Sequence, residues 1–124
     1  MRVVGVAHDG AHALALARSE DPDVAVVDLR MPGLSGLDVA RTLREQGART
    51  RVLIVSAYEE PELVSGALSA GAHGFFSKSS PGAAIADAAI RCSRGARVTP
   101  PWFDPGEAAP EPGAAARPGL LRAS

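Results

Sequence analysis

The order of apolar and polar residues predicts an α/β domain built on an open parallel sheet, and three observations carry that expectation. Short apolar runs alternate with helical stretches from Arg2 to about Gly95, in the order β-α-β-α-β-α-β-α. Residues 24–27 (VAVV) and 52–55 (VLIV) are apolar at every position, as strands are when helices cover both faces of a sheet. The links are short and rich in Gly, Pro, Ser and Asp.

Each element has a local reason. Residues 2–7 (RVVGVA) read as a short strand, and Asp9 offers an N-cap to the helix GAHALALARSE, with Leu14 and Leu16 set among alanines. The strand at 24–27 ends abruptly at Asp28, which faces the Pro/Gly loop of VAVVDLRMPGLSG. Ser35 to Asp38 (SGLD) resembles a capping box opening a helix with Leu37, Ala40 and Leu43 near one face, ended by Gly47. The strand at 52–55 is followed by Ser56. Pro61 suits the first turn of a helix carrying Leu63, Val64, Ala67 and Leu68, closed by Gly71. Residues 74–78 (GFFSK) form a short strand. Ser80-Pro81 repeats a cap-then-proline start for a helix through Ile85, Ala89 and Cys92, ended at Gly95.

Bulk composition narrows the function. The 124 residues fit one domain able to bury one core. Aromatics make up only 4 %, so Val, Leu, Ile and Ala must build that core. A net charge of −1 gives no basic patch for a polyanion. The one cysteine, Cys92, suits a reducing cytoplasm. No run approaches the roughly 20 apolar residues that span a bilayer, and no signal peptide opens the chain, so a cytoplasmic protein without membrane contact is expected. Composition changes near Thr99: the remaining stretch holds six of the ten prolines and no period. Residues 99–124 therefore read as a disordered Pro/Ala-rich tail, with Trp102-Phe103 loose, and residues 1–98 as the folded domain.

Ligands of open parallel sheets sit beyond the carboxyl ends of the strands. Asp28, Ser56 and Lys78 all fall there. Singly, each has an ordinary explanation: a turn-forming acid, a capping hydroxyl, a solvated amine. Together they form a coherent set for phosphoryl chemistry. A carboxylate can attack phosphorus to give an aspartyl-phosphate, while an ammonium and a hydroxyl offset the charge on the transferring oxygens. His8 and His12 stand four apart with no third ligand nearby and read as surface residues, as does His73 in its GAHG loop.

The stretches PDVAVVDLRMPGLSGLDVARTLR, TRVLIVSAYEE and ALSAGAHGFFSKSSPGAAIADAAIRC resemble the receiver domain of bacterial two-component response regulators, of the type joined to a helix-turn-helix output domain. The resemblance spans about Arg2 to Val98 and implies a flavodoxin-like sheet. It implies that Asp28 is the phosphoacceptor, that Ser56 and Lys78 contact the phosphoryl group, and that Phe75 is the aromatic whose rotamer reports the state. The backbone carbonyl of Arg30 would join Asp28 in holding Mg²⁺. The implied partners are a sensor histidine kinase and a second copy, docked through the last two helices and the last strand. No nucleic-acid contact is expected from this chain alone.

The sequence departs from the family in lacking its first strand, with its pair of adjacent acids, and its first helix. Asp9 follows what matches the family's second strand and reads as a helix cap, so weakened Mg²⁺ binding is expected. In the family's strand order, 2-1-3-4-5, the missing strand would lie between residues 2–7 and 24–27. Burying its three or four large side chains would contribute about 5–10 kcal/mol, comparable to the whole stability of a domain. Three resolutions are open: a start codon further upstream, which is favoured because Met1 falls where a strand should already have begun; direct pairing of residues 2–7 with 24–27; or a decayed gene remnant. No helix-turn-helix pattern follows Val98.

Two rival functions stand beside the receiver reading. One is a phosphorylation-incompetent interaction module or remnant. The other is a phosphatase of the haloacid dehalogenase type, which wants a second Asp two residues after the nucleophile, where this sequence has Arg30. An enzyme is not expected.

Overall fold

The computed structural model describes residues 3–7, 9–31 and 33–103. Eight elements alternate: β1 (Val3–Ala7), α1 (Gly10–Glu20), β2 (Val24–Asp28), α2 (Gly36–Glu45), β3 (Arg51–Ser56), α3 (Pro61–Ala70), β4 (Gly74–Ser77) and α4 (Gly82–Ser93). The strands form one parallel sheet in the order β1-β2-β3-β4. Among the described residues no helix is long and apolar enough to cross a membrane.

Strand alternation divides the core in two. Ala25, Val27, Val52, Ile54 and Phe75 face α1, α2 and α3, where they meet Ala13, Ala17, Val39, Leu43, Val64 and Ala67. Val24, Val26, Leu53 and Val55 face α4 and pack with Ala88, Ala89 and Cys92. The unbroken apolar runs thus reflect two buried faces rather than one.

No gap is left where the family's central strand would lie. β1 pairs directly with β2, Val6 opposite Val26 and Ala7 opposite Val27, with a register irregularity between Val3 and Val6. β2 is buried at every position, so both of its edges need hydrogen-bond partners, and β1 supplies one of them. Of the three resolutions, direct pairing describes this structure. The β2–β3 ladder is regular, pairing five successive residues from Val24–Arg51 to Asp28–Val55.

Several local expectations are refined. Asp9 caps α1, accepting from the Ala11 and His12 amides at 2.8 and 3.4 Å. The buried face of α1 is Gly10, Ala13 and Ala17, while Leu14 and Leu16 are only half-buried. Alanine carries no long side chain, so this helix packs close. Ser35 and Asp38 form the reciprocal capping box, which holds the Asp38 carboxyl below its ordinary pKa through the Ser35 amide and hydroxyl. Ser80 does not cap α4: Pro81 takes the cap position and no side chain closes the turn.

Trp102-Phe103 is not loose. After α4 the chain returns beside β4, where Val98 bridges Gly74 in parallel and its carbonyl accepts from the Phe75 amide at 2.8 Å. Gly74 permits this approach, since a Cβ there would stand 2.8 Å from Leu53 Cδ1, 2.9 Å from Cys92 Sγ and 3.1 Å from the Val98 carbonyl. Phe103 is buried with the core on the α1–α3 side of the sheet, because an aromatic ring hides more apolar area than its short tether costs to order. The tail expected beyond it, from residue 104 on, lies outside the described residues, as do Arg2 and His8.

His73 is not a solvated loop residue either. Its Nδ1 accepts from the Val52 amide at 3.1 Å, which places the proton of the neutral ring on Nε2. Burial, then the nearby Arg51 and Arg97, push its pKa down to about 4. The Cys92 thiol behind it is likewise pushed up by burial, to about 11. The folded state therefore resists protonating His73, whereas the unfolded chain takes the proton near pH 6.5. This contribution is intact above pH 6.5 and is lost as pH falls towards 4. Between pH 7 and pH 5 the chain should lose roughly 1–2 kcal/mol by this route, after allowance for solvent screening. Urea unfolding at the two pH values checks it: His73→Gln, which keeps an acceptor but does not titrate, should flatten that part of the pH dependence.

Candidate functional site

The site forms where β2, β3 and β4 end. Asp28 is the last residue of β2, 4 % exposed, and lies opposite Val55 in the ladder. The turn beyond it is fixed by backbone bonds from the Leu29 amide to the Val55 carbonyl and from the Gly36 amide to the Leu29 carbonyl, both 2.9 Å. Gly36 opens α2 directly against this turn. A Cβ on it would stand 2.6 Å from the Asp28 carbonyl oxygen and 3.1 Å from Leu29 Cα. The Pro/Gly loop is short because the helix must start against the strand's own end.

Ser56 ends β3, one residue beyond the level of Asp28, and is buried. Its hydroxyl oxygen accepts from the Tyr58 amide at 3.0 Å, and its carbonyl accepts from the Lys78 amide at 2.8 Å. That second bond extends the β3–β4 ladder one step past Ser77, so Lys78 lies in the turn after β4 rather than in the strand. Lys78 then reaches back, and its ammonium Nζ donates to Asp28 Oδ2 at 3.0 Å. Its side chain is half exposed and the carboxylate buried, so the pair marks the mouth of the cleft.

Of the expected residues, the structure joins Asp28 and Lys78 directly and leaves the Ser56 hydroxyl bonded within its own loop. Phe75, three residues before Lys78, is fully buried on the α1–α3 side. Arg30 is exposed, and its guanidinium carbon sits 5.1 Å from the centre of the Tyr58 ring. Tyr58 therefore touches both loops of the cleft, and no pattern in the chain points to it beyond its place two residues after Ser56. Glu59 accepts from Trp102 Nε1 at 3.1 Å, a contact across 43 residues that no local pattern signals.

The fit to a divalent cation is poor. Among the described residues no group of three or more His, Cys, Asp or Glu side chains could hold a metal ion. Asp9 is spent on its helix cap, and an oxygen of Asp28 already takes the Lys78 ammonium.

Acid, hydroxyl and ammonium at the carboxyl ends of an open parallel sheet define an α/β module suited to accepting an anionic group. The pattern of the response regulator receiver domain matches residues 1–90. The "Probable transcriptional regulatory protein NarL" of Mycobacterium tuberculosis (strain H37Rv) is 46 % identical over 101 residues, covering 82 % of this chain and 47 % of that protein. Transcriptional regulatory protein DesR of Bacillus subtilis is 32 % identical over 101 residues, 82 % of this chain and 50 % of its own. Among solved structures, the signal receiver domain of NarL from M. tuberculosis superimposes with a TM-score of 0.71 at 47 % identity, covering 76 % of each chain. The chain belongs to the response regulator receiver family, and its fold is the flavodoxin-like fold of those domains. It spans about half the length of the curated relatives it matches. A 73-residue stretch is also 52 % identical to a protein-glutamate methylesterase/glutaminase of Myxococcus xanthus, but this is 21 % of that protein.

Substituting Gly36 tests whether the helix start sets the cleft. Gly36→Val should cost about 1–3 kcal/mol in urea unfolding, because the new atoms meet backbone that cannot step aside.

Proposed function

We propose that this receiver domain accepts a phosphoryl group on Asp28 from a sensor histidine kinase. The observation that carries the reading is the 3.0 Å contact between Lys78 Nζ and Asp28 Oδ2. It sets a fixed positive charge where charge would develop on a transferring phosphoryl group. A carboxylate oxygen of Asp28 attacks phosphorus and the phosphorus–nitrogen bond of the donor's phosphohistidine breaks. The imidazole leaves with the bonding electrons and picks up a proton. Lys78 follows the new phosphoryl oxygens. Ser56, whose oxygen is held by the Tyr58 amide, keeps its own O–H free to turn towards them.

Receiver domains generally bind Mg²⁺ at this site. Here Asp28, the Arg30 carbonyl and waters would have to serve, so Mg²⁺ binding is weak and no step is assigned to it. The aromatic switch role falls to Phe75, and a second copy would dock through α3, β4 and α4. Transcriptional output belongs to whatever domain the longer relatives carry, the chain itself being a cytoplasmic signalling module without catalysis. The single carboxylate also favours one rival, an interaction module that works without phosphorylation. The phosphatase reading gains nothing, since Arg30 stands against Tyr58 and is no proton donor.

Intact mass after incubation with acetyl phosphate and magnesium chloride decides between these readings. One added phosphoryl mass is expected, absent in Asp28→Asn. Full folding with no added mass in either chain would leave the interaction module. At a Mg²⁺ concentration equal to its dissociation constant, stabilisation is only about 0.4 kcal/mol. Millimolar Mg²⁺ alone should accordingly leave the thermal midpoint nearly unmoved.

A further inference from the structure

The segment that returns beside β4 reaches the rim of the cleft. Val98 is fixed to β4 by two backbone bonds, one from its own amide to the His73 carbonyl at 3.3 Å and one to its carbonyl from Phe75. A turn closed by the Phe103 amide on the Pro100 carbonyl then sinks the Phe103 ring into the core. Trp102 stacks edge-on against Phe103, with ring centres 6.2 Å apart and planes at 78°. Its indole N–H is thereby aimed at Glu59.

Glu59 lies in the 57–60 loop, which has few other anchors. Glu60 starts α3 with no side-chain cap, its carbonyl taking the Leu63 and Val64 amides, and Tyr58 is tied twice more, by its amide on Ser56 and by its ring under Arg30. Both ties lead to the cleft: Ser56 is in it, and Arg30 stands two residues after Asp28. A loop held at Tyr58 and again at the next residue keeps the Tyr58 amide on the Ser56 oxygen. This directs the hydroxyl proton away from its own loop.

We propose that Trp102 is a positioning residue for Ser56: bonded to Glu59 by the docked 98–103 segment, it holds the 57–60 loop so that the Ser56 hydroxyl is ready to donate to a group at Asp28. The inference rests on the phosphoacceptor reading for its rate effect, but its structural part stands alone. It also makes the coupling reciprocal, so that a phosphoryl group on Asp28 tightens the docking of residues 98–103.

The test uses the full chain and two readouts, the rate of labelling by acetyl phosphate and hydrogen exchange at the Tyr58 amide. Trp102→Phe keeps an aromatic ring against Phe103 but loses the N–H, and Glu59→Ala loses the acceptor. Each should slow labelling about fivefold, the worth of one modest hydrogen bond, and speed Tyr58 exchange, with the urea midpoint little changed. Glu59→Gln, which keeps an acceptor oxygen, should restore both readouts. In a Ser56→Ala background Trp102→Phe should slow labelling no further, because the group it positions is gone. Unchanged Tyr58 exchange in Trp102→Phe, or an undiminished rate effect without Ser56, overturns the proposal. If the unaltered chain takes no label, the Asp28 reading falls by itself, and Tyr58 exchange still decides whether Trp102 holds the loop.

Discussion

The parallel pairing of β2 with β3, buried on both faces, is the constraint on which the rest depends. Five residues of each strand run in strict register, and nearly all of them are shielded from water. Such a pair must end somewhere, and at its carboxyl end the buried apolar ladder gives way to Asp28 and Ser56. β4 adds to the far edge of β3, so Lys78 begins two strands away from Asp28, about 9.5 Å at ordinary strand spacing. Only a long, flexible side chain crosses that distance, and the bond from the Lys78 amide to the Ser56 carbonyl sets its starting point. The ion pair is therefore a consequence of strand order and register rather than of any local motif.

The same sheet explains how the outer edge of β2 is closed. A buried β2 edge with unmet backbone groups would be costly, and β1 meets it, although its pairing loses register midway. On the face away from α1–α3, the single helix α4 lies over β2, β3 and β4. Its packing face is Ala88, Ala89 and Cys92, small residues that let one helix sit low across several strands. The other face is closed by three helices and, at its margin, by Phe103. The aromatic-poor composition thus works because alanine faces bring helices close to valine-rich strands.

The loops carry what the strands leave open. Asp28 and Ser56 are rigidly placed, but the Ser56 hydroxyl answers to the 57–60 loop, and that loop answers to Tyr58, Arg30 and Trp102. Two of the three large apolar side chains exposed among the described residues, Tyr58 and Trp102, belong to this set. Their exposure reflects tasks at the cleft rim, where one side of each ring meets a charged neighbour.

The sequence by itself determined the element order, the two-faced burial of β2 and β3, the caps at Asp9 and Ser35, and the nomination of Asp28, Ser56 and Lys78. All of these follow from short-range rules: apolar runs, capping geometry, and polar residues at strand ends. Tertiary structure alone decided that β1 closes onto β2, that Lys78 bonds Asp28, that His73 is half-buried and neutral, and that Trp102-Phe103 docks. Each of those outcomes depends on which distant segment fills a vacancy left by another: an open strand edge, a buried amide, a gap in the core. A one-dimensional pattern cannot register that kind of competition, because the winning partner lies at least 20 residues away and is chosen by space and hydrogen bonding.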